Sequence, residues 1–201
     1  MARPRKFDEA AVIAASRDLF WTQGYAATSI DDLGDVTGLG RGSLYGAFGD
    51  KRTLFLRSLD MYCNEVSEAN RVELRNPDLL ARDRLVAHLR GFASTTAADG
   101  SRRGCLMAKS AAELSSTDAE VAKRVKRTLD GWLRELTATI AEAQRDGDLS
   151  ADVDAHALAS LLLTLLRGME AMRKGGASAT TVKAAAEQAI MLLPTSAKAT
   201  R

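Results

Sequence analysis

Cysteine and proline are both scarce in this chain, and each shortage removes a class of answers. Two cysteines in 201 residues, Cys63 and Cys105, make no disulfide framework. Only three prolines interrupt the chain, and no alternating run of β-branched residues supplies strands. No apolar run reaches the about 18 residues that a membrane span needs. The N-terminus also lacks a signal peptide's apolar core, so a cytoplasmic protein with no membrane partner is expected. No charge of one sign prevails: 28 Lys and Arg against 26 Asp and Glu leave a net +2. Paired-cysteine zinc spacing, a phosphate-cradling glycine loop and HExxH are all missing, so neither a metal nor a cofactor is expected.

What is abundant is alanine and leucine at helical spacing, which predicts an all-α fold of about nine helices. The first runs from about Asp8 to Gln23 with Gly24 as its stop, and the fourth starts after Asp50 and continues toward Leu74. Asn76-Pro77-Asp78 punctuates the chain, and further helices follow at about 78–97, 105–114, 118–145, 152–174 and 179–193. Residues 1–55 are expected to form one small domain and residues 56–201 a larger helical bundle with its own core.

Residues 28–51, TSIDDLGDVTGLGRGSLYGAFGDK, compress two short helices, a glycine turn and the start of a third into two dozen positions. Thr28 is expected to cap the first, with Asp31 completing a capping-box-like pair three residues on. Ile30, Leu33 and Val36 give that helix an apolar face, and Gly38 breaks it. In the next helix, Gly40–Phe48, Leu44 and Phe48 face inward while Arg41, Ser43 and Tyr45 lie off that stripe. A forked cation, a hydroxyl and a phenol suit DNA: arginine donates bidentately to guanine, and serine and tyrosine reach bases or phosphates. The missing side chain at Gly42 lets the backbone approach a groove.

This segment resembles the DNA-binding domain of the TetR family of bacterial transcriptional regulators over residues 7–55. Val12, Ala15, Leu19, Phe20, Gly24, Tyr25, Thr28, Ile30, Leu33, Gly38, Gly42, Leu44, Tyr45, Phe48, Lys51, Leu54 and Phe55 stand where the family pattern has such residues. The resemblance implies that Thr28, Tyr45 and Lys51 hold phosphates while Arg41, Gly42 and Ser43 approach base edges. Gly46 and Ala47 depart from it, since the family often carries a bulky polar residue and a histidine there. Local charge does not compensate: residues 7–57 hold five basic groups (Arg17, Arg41, Lys51, Arg52, Arg57) and seven acidic ones. A basic arm of Arg3, Arg5 and Lys6 precedes them and can add a backbone or minor-groove contact.

The penultimate helix carries Leu158, Leu161, Leu162, Leu163, Leu165, Leu166, Met169 and Met172, more apolar surface than one core can use. The excess predicts a homodimer in which this helix and the last pair about a two-fold axis, through Leu162, Leu166, Met169, Ala186 and Ile190. The family resemblance implies the same dimer, binding double-stranded operator DNA and releasing it when a small-molecule effector enters the body. Candidates to line the effector's site are Met61, Tyr62, Phe92, Cys105, Leu106, Met107, Trp132 and Met169, with His88, His156, Glu113 and Glu170 to orient it. Plain core is the competing reading of each apolar one.

Cys105 follows a glycine, opens a helix and has Arg102 and Arg103 just upstream, circumstances that can stabilise a thiolate. The segment around it is similar to a Gly-Cys-Leu stretch in a family branch that includes thiol-based sensors, although Lys109 stands where that branch has Asn. A sensor regulator triggered at Cys105 is therefore one alternative, and a helical protein-binding scaffold is another. An enzyme with Cys105 as nucleophile and His88 or His156 as base lacks any local catalytic signature.

Overall fold

The computed structural model describes residues 7–196, so the basic arm at Arg3, Arg5 and Lys6 lies outside the described residues. Those residues form α1 (Glu9–Gln23), α2 (Ile30–Thr37), α3 (Arg41–Phe48), α4 (Lys51–Leu74), α5 (Ala81–Ala98), α6 (Leu106–Leu114), α7 (Ala119–Arg145), α8 (Ala155–Lys174) and α9 (Ala179–Met191). The extended structure among them is an isolated bridge between Leu149 and Thr195.

Local chemistry sets the boundaries. The Asp8 carboxylate accepts from the Ala10 and Ala11 N–H groups at 2.9 and 3.3 Å and starts α1. Gly24 ends it at φ +93°, a conformation that disfavours any side chain. The cap of α2 falls one residue later than Thr28. Thr28 is 1% exposed and its hydroxyl donates inward to the Gly24 carbonyl at 2.7 Å. Ser29 therefore takes the position: its Oγ accepts from the Asp32 N–H at 3.1 Å, and the Asp32 carboxylate accepts from the Ser29 N–H at 2.8 Å. Val36, expected inward, is exposed, and Leu33 is the buried residue of this short helix. Two later starts also shift. The Asn76 side chain accepts from the Asp78 N–H at 3.0 Å and forms a turn, so α5 begins only at Ala81. Asp154, not Asp152, caps α8 by accepting from the Ala157 N–H at 2.7 Å.

The chain packs as two compact units, one of Met1–Glu65 with Cys105–Arg127 and the other of Val66–Gly104 with Thr128–Arg201. In the first, Phe20, Leu33, Leu44, Phe48, Leu54, Phe55 and Leu59 are buried, and the Phe20 and Phe55 rings meet edge to face at 5.1 Å. Each such side chain contributes about 1.5–3 kcal/mol by burial. The second unit has its own core, drawn from α4, α5, α7, α8 and α9.

That core corrects the expected subunit interface. Leu162, Leu166, Met169, Ala186 and Ile190 are all buried inside it, packed with Leu85, Leu89, Leu136 and Val182. The apolar excess on α8 does serve two faces, but these residues are the inner one. Leu161 at 64% and Met172 at 53% exposed belong to the outer one, and Met191 and Leu192 at the end of α9 are exposed as well.

The cap of α2 yields a pH-dependent prediction. The Ser29 hydroxyl and then its N–H hold the Asp32 carboxyl below its ordinary value. A carboxyl lowered on folding contributes stability above its unfolded value, 3.8 here, and loses it as pH falls through the lower folded value. Ser29→Ala should cost about 0.5–2 kcal/mol at neutral pH. The gap between wild type and Asp32→Asn in urea denaturation should narrow once the pH drops below about 3.8.

Candidate nucleic-acid interface

The exposed side of α3 is positioned by a turn. Gly38 adopts φ +68° in the left-handed region and ends α2 there, so that α3 starts three residues later at Arg41. Leu44 and Phe48 anchor α3 in the first unit's core, which leaves Arg41, Gly42, Ser43 and Tyr45 on its exposed side. A Cβ added at Gly42 or Gly46 would meet nothing within 4 Å, so the chain's own packing does not demand glycine at either position. No side chain caps α3 and no acidic residue stands in its first turn. Ser43 N–H donates to the Gly40 carbonyl at 2.9 Å, which leaves the Arg41 and Gly42 N–H groups to face an external anion such as a phosphate.

Arg41 is engaged across the turn by Asp31 of α2: Nε donates to Oδ1 at 2.5 Å and Nη2 to Oδ2. The pair lowers the Asp31 carboxyl and raises the arginine, chiefly through these hydrogen bonds.

Two of the expected phosphate-holding residues face inward. Thr28 is buried with its hydroxyl committed to Gly24. The Lys51 ammonium donates to the Tyr25 and Thr28 carbonyls at 2.8 and 2.7 Å and lies 4.3 Å from the centre of the Tyr25 ring. An ammonium has three donors, and two are spent here. Lys51 is half-buried and ties the α1–α2 turn. Tyr45, the third, is exposed.

Two residues that sequence reasoning did not assign to the reader complete this turn. The Glu113 carboxylate, on α6, accepts from the Tyr25 N–H at 3.0 Å and from the Ala26 N–H at 2.5 Å. Lys109, one helical turn earlier, donates to the Trp21 and Thr22 carbonyls at 3.0 and 2.7 Å, where the last orphan carbonyls of α1 need partners. The i, i+4 spacing of these two opposite charges was the available signal. A Cβ on Gly24 would lie 3.0 Å from Glu113 Oε2, so a side chain there would push the carboxylate away.

The effector candidates divide between the units. In the first, Tyr62 and Cys105 are brought together: the Tyr62 hydroxyl donates to Cys105 Sγ at 3.4 Å, and both are buried. Cys105 sits just before α6, and Leu106 and Met107 are buried behind it, while Met61 is half-buried. In the second unit, the Phe92 and Trp132 rings lie 5.6 Å apart with the Arg167 guanidinium 5.4 and 4.8 Å from their centres. Arg167 also forms an ion pair with Glu170, whose carboxyl is pushed up by burial more than Arg167 pulls it down. Met169 belongs to the core beside them. The Trp132 indole donates to His88 Nε2 at 3.0 Å, and His88 Nδ1 lies 2.6 Å from Glu73 Oε2. An indole N–H can only donate, so Nε2 is the acceptor in this bond and Nδ1 is the ring nitrogen that donates to Glu73. His156 is exposed on α8 and joins neither group.

Among the described residues no group of three or more His, Cys, Asp or Glu could hold a metal, and no helix is long and apolar enough to cross a membrane. The family model described as "Bacterial regulatory proteins, tetR family" matches residues 12–57, and "Tetracyclin repressor-like, C-terminal domain" matches residues 81–189. The chain belongs to the TetR family. It is 28% identical to the HTH-type transcriptional repressor ComR of Escherichia coli (strain K12), over 88% of this chain and 84% of that protein. Identity to the HTH-type transcriptional regulator EthR of Mycobacterium tuberculosis (strain CDC 1551 / Oshkosh) is 30%, over 80% and 73% of the two chains. Among solved structures, a cysteine mutant of the TetR family regulator CifR, complexed with 26 bp of double-strand operator DNA, superposes with a TM-score of 0.80. It is 29% identical, over 96% of this chain and 100% of that one. The protein is thus a DNA-binding transcriptional regulator of the TetR family, a family of regulators rather than of enzymes.

The tie at Lys51 separates two outcomes. A lysine that holds a phosphate contributes about 0.9 to the slope of log affinity against log salt. Lys51→Ala should leave that slope unchanged in the folded protein and instead lower the thermal unfolding midpoint, as titrations at several salt concentrations and a melting curve would show.

Proposed function

We propose that this regulator is a repressor that acts as a homodimer on a pseudo-palindromic operator and leaves it when a small molecule binds the helical body. The observation that carries the proposal is the α3 surface: Arg41, Gly42, Ser43 and Tyr45 exposed on one side, Leu44 and Phe48 buried on the other. Residues 1–55 would read the DNA, and residues 56–201 would receive the effector and join the subunits. Placed in the major groove, the first turn of α3 brings a forked donor and a hydroxyl to base edges and a phenol to the backbone. A bacterial regulator of this kind works in the cytoplasm, associated with the nucleoid.

The outer face of α8, with Leu161 and Met172, and the end of α9, with Met191 and Leu192, are the apolar surfaces that subunit pairing would bury. For the effector, the Phe92, Trp132, Arg167 and Glu170 group supplies aromatic walls beside a charge pair. Transmission would run through the turn that α4 and α6 hold, since any shift of Lys51, Lys109 or Glu113 moves the base of α2. Whatever its route, coupling is reciprocal, so operator DNA weakens effector binding by the factor with which effector weakens DNA. A thiol trigger is the second reading. Its support is that Cys105 opens α6, the helix that carries Lys109 and Glu113.

Selecting bound duplexes from a random pool tests the proposal. Enriched sequences should be pseudo-palindromic, with half-sites about one duplex turn, roughly 34–36 Å, or a multiple apart. No enrichment would overturn it. Release of the enriched duplex by an electrophile from wild type but not from Cys105→Ser would favour the thiol route over a non-covalent effector. Adjacent α8 substitutions should then part company. Leu162→Glu puts an unpaired charge into the second unit's core and should unfold it. Leu161→Glu should leave helix content intact while shifting sedimentation from dimer to monomer and abolishing operator binding.

A further inference from the structure

We propose that Asp31 determines specificity in the DNA reader: it holds Arg41 side-on so that the guanidinium presents its end-on edge to a guanine. The proposal rests on the DNA-reading role given above for α3. No role in the resemblance falls on Asp31, which stands on α2 and not on the recognition helix.

The geometry of the pair selects the edge. Asp31 Oδ1 accepts from Nε and Oδ2 from Nη2, which together form the side-on edge of the guanidinium. The fork is planar and rigid, so fixing one edge fixes the direction of the others. The end-on edge, formed by Nη1 and the second Nη2 proton, is not used by this pair. Its two N–H groups are parallel donors that can meet O6 and N7 of guanine, as the side-on pair could if Asp31 did not hold it.

Location supports the same reading. Asp31 is the second residue of α2 and Arg41 the first of α3, so the pair spans the turn and ties the guanidinium to both helices. Arg41 is 68% and Asp31 61% exposed, with no neighbouring wall to hold so long a side chain in one rotamer. An exposed ion pair adds little to folding stability. It does remove rotamers that a base-reading arginine would otherwise have to lose on binding. Charge points the same way. A carboxylate on a surface that meets a polyanion weakens binding to every sequence, and Asp31 lies on that surface beside the one arginine of α3. Neutralisation by Arg41 limits this repulsion, and in return the arginine is oriented. Tyr45 lies on the same exposed side of α3.

The test uses the full-length chain and the duplex enriched by wild type, with each base pair of a half-site varied in turn. Wild type, Asp31→Asn, Arg41→Ala and the double variant are titrated, and melting curves check that all four are folded. Wild type should prefer guanine at one position by about 5- to 150-fold, the range of a bidentate pair. Asp31→Asn should lose most of that preference, approach Arg41→Ala at that position alone, and bind unrelated duplexes more tightly. Adding Asp31→Asn to Arg41→Ala should change no preference. If Asp31→Asn binds all sequences more tightly with the guanine preference intact, the carboxylate is only a competitor for the arginine and the proposal fails. It fails equally if Asp31→Asn matches wild type. A wild-type chain that enriches no duplex removes the DNA-reading role and this assignment with it, whereas enrichment with an unaltered Asp31→Asn preference removes Asp31's part alone.

Discussion

The backbone of the α1–α2 turn is satisfied from elsewhere in the first unit, and the placement of the recognition helix depends on that. Tyr25 and Ala26 donate to Glu113, while the Tyr25 and Thr28 carbonyls accept from Lys51. A turn that leaves its polar groups unpaired is free to sample other conformations. Here the turn is held on its donor side by a carboxylate and on its acceptor side by an ammonium. With Thr28 also bonded back to Gly24, the start of α2 has one position, and the short link through Gly38 passes that position to α3. Charge-assisted hydrogen bonds are the stronger kind, which suits them to hold a segment that must not wander.

The same economy explains how a nearly neutral reader can serve a polyanion. Among the described residues, Arg17 pairs with Glu65, Arg52 with Asp118 and Arg57 with Glu9, so these basic groups hold the first unit together. In the proposed DNA-reading role, the uncapped N-terminus of α3 and the orientation of Arg41 matter the more for that. Phosphate contacts position a reader and base contacts specify, so the specificity of such a complex would depend on how well a few groups are aimed.

Much of this was legible in the sequence, and the misses share a cause. Helix number and order followed from alanine and leucine periodicity punctuated by Gly24, Gly38, Gly147 and Gly175-Gly176. The expected Thr28–Asp31 cap has the same spacing as the Ser29–Asp32 box that forms, and what displaces it is the burial of Thr28 and its bond to Gly24. On α8 the pattern implied two apolar faces without saying which was inner, so Leu162 and Leu166 were assigned outward when Leu161 and Met172 lie there. Glu113 lies 87 and 88 residues from the amides it holds, and no local pattern reports a contact of that range. The resemblance implies a phosphate for Lys51, whereas its carbonyl partners, 23 and 26 residues earlier, appear only when the chain is folded.

Native-state hydrogen exchange at the Tyr25 and Ala26 amides tests the constraint on the turn most directly, because Ala26 is exposed and would exchange freely if accessibility alone governed it. Both amides should exchange slowly, at rates close to those of interior α1 amides, and both should speed up together in Glu113→Gln. Exchange of either amide in wild type at the rate of an unstructured peptide would contradict the account, since α2 and α3 would then hang from a loose turn.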